Sequence, residues 1–183
     1  MAVNVAKPET VKPAPEAGFG VGQQVVAFTE ALMLAVWLGS MVFFSFAVAP
    51  SAFAVLPTRE LAGAIVTSTI GKVEMLGLII GPLLFILQLT AWRPRAASAK
   101  TRVLRALLLL MMIAAAAASR FWVSAKLVSL RQAMGGMIDN IPVTDPLRIE
   151  FNALHGYSVG LMGACMLAGF VVLFLTVHSW LKR

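Results

Sequence analysis

The chain has 183 residues, of which 60% are apolar and only 13% charged, and its mean hydropathy is +0.88. A soluble domain is about half apolar and about a quarter charged, so a water-soluble globule is excluded and a bilayer is the solvent that suits this surface. The net charge of +7 does not point to nucleic acid, because the basic residues cluster between apolar runs where they set membrane topology.

Residues 1–22 open the chain with Lys7, Lys12, Glu9, Glu16 and several prolines. They contain no apolar core of the kind a secretory signal needs and too little arginine for a transit peptide, so a flexible cytoplasmic tail is expected. A spanning helix takes roughly 20 mostly apolar residues. Four segments qualify, at about 23–48, 73–92, 103–130 and 152–180, making residues 23–183 one transmembrane domain. Alternating barrel strands are absent, so the expected fold is all-α, an antiparallel bundle of four transmembrane helices. Between the first two spans, AVAPSAFAVLPTRELAGAIVTSTIGK is broken by Pro50 and Pro57 and is expected to continue as an interfacial helix from about Thr58 into the second span. The loop after the second span carries Arg93, Arg95, Lys100, Arg102 and Arg105 and no acid. Positive charge stays in the cytoplasm, which puts this loop and both termini inside a cell (inner) membrane. Lys182 and Arg183 agree with that. The third loop, AMGGMIDNIPVTDPLRIE, holds Asp139, Asp145 and Glu150 and belongs to the outer face.

Small residues let membrane helices approach closely. Gly156, Gly160, Ala164 and Ala168 recur every fourth residue in the last span, Gly77 and Gly81 lie in the second, and Ala35 and Gly39 in the first. The first reading of the Gly156 stripe is packing within the chain, and its alternative is a homodimer contact.

Ionisable residues inside spans cost about 2.5–3.5 kcal/mol each near the bilayer centre on insertion scales, and they usually mark a purpose. Glu30, Glu74, Arg120, Lys126 and His155 fall within or at the edge of spans. Arg120 lies about 25 Å along its helix from Val103, at ~1.5 Å per residue. Glu74 and His155 begin descending helices, so all three belong to the outer leaflet, while Glu30 lies near the cytoplasmic side. The functional reading is an outward-opening polar pocket in which Glu74 holds Arg120 and His155 tunes the pair or binds a ligand. The plainer reading is paired or snorkelling residues that fix register, and it is preferred for Lys126 and Arg131 near the helix end.

His155, Ser158, Met162 and Cys165 or Met166 recur at helical spacing in the last span. Imidazole, thioether and thiolate suit Cu(I), though Met and Cys are also common packing residues. The two histidines, His155 and His178, are roughly 35 Å apart on one helix at ~1.5 Å per residue, so they cannot both ligate one haem in a monomer. The HExxH, CxxC and phosphate-binding glycine-loop motifs of soluble catalysis are absent. No cofactor is expected, with haem or copper near His155 as the alternative.

Three stretches together resemble the transmembrane-protein-205-like family, a domain of unknown function. They are WLGSMVFFSFAVAPSAFAVLP at 37–57 with RELAG at 59–63, RFWVSAKLVSLR at 120–131, and FNALHGYS at 151–158. More distantly, the four-helix pattern resembles the copper-resistance D membrane proteins. The resemblance implies four membrane helices, family-typical positions at Arg131, His155 and Ser158, and a general link to resistance towards metal compounds. Where that family would carry an aromatic Phe-Pro-Tyr-type stretch, this chain has TSTIGKVE at 67–74. The resulting expectation is a non-enzymatic membrane protein that handles a small solute or metal compound, or that serves as an accessory subunit of a membrane assembly. Its partners are the lipid bilayer and either a second copy or a larger complex. The alternative is a small redox protein.

Overall fold

The computed structural model describes residues 20–90, 98–136 and 138–181. The tail up to residue 19, the loop arginines Arg93 and Arg95, and the terminal Lys182 and Arg183 lie outside the described residues. All regular structure among the described residues is helical. Four long helices carry the fold: α1 (Val21–Val55), α2 (Arg59–Thr90), α3 (Ala99–Ala133) and α4 (Pro146–Leu181). Helix α1 contains a π turn at Phe44–Val48, and α3 contains another at Ser119–Val123.

Capping chemistry sets the boundaries. Thr58 Oγ1 accepts the Leu61 N–H at 3.3 Å, and Ser98 Oγ accepts the Thr101 N–H at 3.2 Å. Asp145 accepts the Leu147 N–H at 2.8 Å just ahead of Pro146, which is preorganised for a first helical position. Helix α3 ends where Gly135 and Gly136 adopt φ values of 66° and 82°. The Gly136 N–H then reaches back to the Arg131 carbonyl at 2.9 Å, a glycine-dependent closure of the last turn.

Each helix packs on two neighbours: α1 on α2 and α4, and α3 on α2 and α4. Consecutive helices are therefore antiparallel neighbours around a closed square, with α1 and α3 across its diagonal. Leu34, Trp37, Leu84, Leu109, Met112 and Val172 fill the centre, each no more than 2% exposed. Gly77 and Gly81 make room for Trp37. A Cβ on Gly77 would stand 2.6 Å from the indole nitrogen, and one on Gly81 would stand 3.2 Å from the ring. The outside is as apolar as the inside, with Phe28, Phe43, Phe121, Leu167 and Phe174 all more than 60% exposed. Apolar surface on every side of a bundle is what lipid solvates.

As expected, the segment from about Thr58 runs into the second span as one helix, Arg59–Thr90, with Pro82 inside it. Two expectations need amendment. Gly156, Gly160 and Ala164 face out of the bundle, and a Cβ on either glycine would meet nothing within 4 Å. Packing within the chain is thus not their role; of the stripe, only Ala168 turns inward. Finally, Arg105 is not a solvated loop charge. It is buried in the bundle.

Candidate functional site

The helices are about 50 Å long at ~1.5 Å per residue, well beyond a hydrocarbon core of about 30 Å. Exposed charges show which parts overhang. Lys100 and Arg102 are exposed at the end that carries residues 20 and 181, and Lys72, Lys126 and Glu150 are exposed toward the other end. Lys126 and Glu150 pair at 3.2 Å, with both side chains nearly half exposed, so the pair contributes little stability. The second end, formed by residues 55–58, 134–136 and 138–145, is called the loop end below. There, Asp139 stands 3.6 Å from Arg59 and 3.8 Å from Arg148. Arg148 also donates to the Ile141 carbonyl. This charged rim joins the start of α2, the α3–α4 loop and the start of α4.

Below the rim, a cavity of about 630 Å³ runs into the bundle between all four helices, a volume suited to a small organic ligand. Its walls are mostly apolar, from Phe44, Phe53, Val66, Leu127, Phe151 and Met166. The π turn of α1 helps shape it. The Ala49 N–H bonds the Phe44 carbonyl five residues back, and such a turn brings residues five apart to the same face. Phe44 and Ala49 both line the cavity.

Of the residues singled out by sequence, Arg131, His155, Ser158, Met162 and Met166 line this cavity. The Arg131 side chain lies across Gly63, so close that a Cβ there would stand 2.5 Å from its Nη2. Its guanidinium is 5.9 Å from the centroid of Phe151, within cation–π range. Among the described residues Arg131 has no carboxylate partner. Snorkelling towards solvent was the plain expectation, but the missing Cβ of Gly63 lets the side chain fold inward. His155 stacks on Phe151, with centroids 6.3 Å apart. His178 makes the same kind of stack with Phe174 at 5.6 Å, so stacking alone does not distinguish the two histidines.

Cys165 leaves the metal-ligand set. Ten residues at about 100° each turn it about 80° around the helix from His155. Its thiol sits in the core, 3.8 Å from the Met112 carbonyl. His155, Met162 and Met166 stay on the cavity wall. No group of three or more His, Cys, Asp or Glu side chains placed to hold a metal occurs among the described residues.

Glu74 and Arg120 do not form the expected pair among the described residues. Glu74, 4% exposed, instead accepts hydrogen bonds on Oε1 from Ser119 Oγ at 2.5 Å and from Ser124 Oγ at 2.7 Å. In a regular α-helix, residues five apart point about 140° away from each other. The π turn of α3, in which the Ser124 N–H bonds the Ser119 carbonyl, stacks them on one face and so aims both hydroxyls at one carboxylate. Arg120, the next residue around, is carried off that face. Its Nε is buried without a hydrogen-bond partner.

At the opposite end, sequence reasoning missed an ion pair. Arg105 Nη2 meets Glu30 Oε1 at 2.9 Å, and both side chains are only 1% exposed. The pair links α1 to α3 across the diagonal. The available signal was an acid early in the first span and an arginine early in the third, at matching depth.

A family model described as a domain of unknown function, DUF4149, matches residues 32–135, more than half of the chain. The chain belongs to the DUF4149 family. The match takes in Glu74, Ser119, Arg120, Ser124, Gly63 and Arg131, and it ends before His155 and Ser158. Neither the comparison with curated proteins nor that with solved structures gives a match. The DUF4149 chain is therefore a four-helix membrane protein whose matched segment supplies Arg131 and the Glu74 cluster, while α4 completes the cavity wall.

Proposed function

We propose that this DUF4149 protein is a non-enzymatic membrane protein that takes up a small amphipathic anion at its loop end, with the apolar part in the cavity and the charged group at Arg131. One observation carries the reading: a guanidinium without a carboxylate partner folded over Gly63 into a mostly apolar cavity. A cation there, partly withdrawn from bulk water, is stabilised by an anion more than it would be at the open surface. His155 and Ser158 offer further hydrogen bonds from α4. With the loop end outside, the rim of Arg59, Arg148 and Asp139 would lie at headgroup level, where an amphiphile arriving from the outer leaflet would present its polar end.

The test uses purified protein in lipid nanodiscs with laurate, dodecyl phosphate and dodecanol. Saturable binding of the two anions, with dodecanol weaker, is expected. A hydrogen bond to a charged group is worth about 1.5–3 kcal/mol, so Arg131→Gln should weaken the anions about tenfold to a hundredfold and leave dodecanol unchanged. Equal affinity for dodecanol, or anion binding indifferent to Arg131, would sink the reading.

A further inference from the structure

The Glu74 cluster is not used by this cavity reading, and its chemistry is unfinished. Oε1 receives both serine hydroxyls, whereas Oε2 is buried with no hydrogen-bond partner. A lone carboxylate oxygen withdrawn from water is costly unless something positive meets it. Arg120, the cation expected to do so, makes no ion pair with it among the described residues, and Lys72 on the same helix is exposed. We propose that Glu74, Ser119 and Ser124 form a binding site for one sodium ion.

Four features support that ligand. The donors are all oxygens, which suit hard cations. Each serine gives its proton to Oε1, leaving the lone pairs of its own oxygen for an ion. A single carboxylate neutralises a single charge, which favours a monovalent over a divalent cation within a membrane. Passing from four-residue to five-residue hydrogen bonding and back skips one carbonyl acceptor in α3, and irregular helical backbone beside a cavity is a recurring source of sodium ligands in membrane proteins. The ion also has a route in: Ser124 lines the cavity, so Glu74 lies one side chain behind its wall.

The experiment measures ²²Na⁺ binding to the full chain in nanodiscs, with choline as the balancing cation and no amphiphile added. One saturable site per chain is expected. Glu74→Gln should abolish it, and Ser119→Ala and Ser124→Ala should each weaken it about tenfold to a hundredfold. Arg131→Gln should leave it intact, which separates this site from the anion reading. If Glu74→Gln does not fold, the serine variants and the wild-type isotherm decide. Absence of saturable binding overturns the proposal, as does binding that survives these substitutions. So does a Glu74 carboxyl that takes up a proton while remaining indifferent to sodium.

Discussion

Glu30 and Arg105 show what a single pair of residues does to a bundle in lipid. Each side chain is 1% exposed and they meet at 2.9 Å, so neither can recover hydration if the other is removed. Loss of one partner of a buried pair costs about 3–5 kcal/mol, because the remaining charge stays buried, whereas replacing both by apolar residues is often neutral. Glu30→Leu or Arg105→Met alone is therefore expected to lower the unfolding free energy by about that amount, and the double variant should recover most of it. Denaturant or thermal melts of the three variants in the same detergent check this; a double variant as weak as the singles would show the pair to be stabilising in itself. Arg105 was hidden in the sequence because it ends a run of basic loop residues, and charge counting assigns such a run to solvent. Only depth matching with Glu30 separates it from Arg102, which is exposed.

At the scale of elements, the four spans were legible because twenty-odd apolar residues in a row admit few other structures. The detail that builds the sites was not. A π turn has no compositional signature, yet the one in α3 decides that Ser119 and Ser124, and not Arg120, face Glu74. A four-residue spacing likewise says that small residues share a face without saying which way the face points. Gly77 and Gly81 turn toward Trp37, whereas Gly156 and Gly160 turn outward. This contrast gives a paired prediction. Gly77→Ala places a methyl group 2.6 Å from the Trp37 indole nitrogen, and that ring is 2% exposed with no room to withdraw. Overpacking of this kind costs about 1–3 kcal/mol. Gly160→Ala meets nothing within 4 Å and should leave the melting temperature of the monomer unchanged or slightly raised, since alanine is the better helix former. Equal destabilisation by the two changes would mean that the helix faces are misassigned.

For the whole molecule, the arrangement of charge along the bundle axis bears on how it sits in the bilayer. Helix α3 from Val103 to Ala125, about 35 Å at ~1.5 Å per residue, carries only the buried Arg105 and the half-buried Arg120 as charges, and that length matches a hydrocarbon core with its interface. Exposed charge resumes at Lys126 on α3, Lys72 on α2 and Glu150 on α4. If these three positions mark one membrane boundary and Lys100 and Arg102 the other, the cavity mouth stands at headgroup level and its floor reaches into the acyl region, the geometry that an amphiphile requires. Basic residues at 93, 95, 100 and 102 should hold the end bearing residues 20 and 181 in the cytoplasm, so the cavity would open outward. Single cysteines at Ser98 and Asn140, in a Cys165→Ala background, test this directly with a membrane-impermeant maleimide on intact cells. Asn140, on the exposed turn beside Asp139, should label from outside, and Ser98, exposed at the α3 cap, only after permeabilisation. The reverse pattern would turn the cavity toward the cytoplasm, and its ligand would then have to come from the inner leaflet. Labelling of both positions from one side would contradict a bundle with two spans between every pair of loops on the same face.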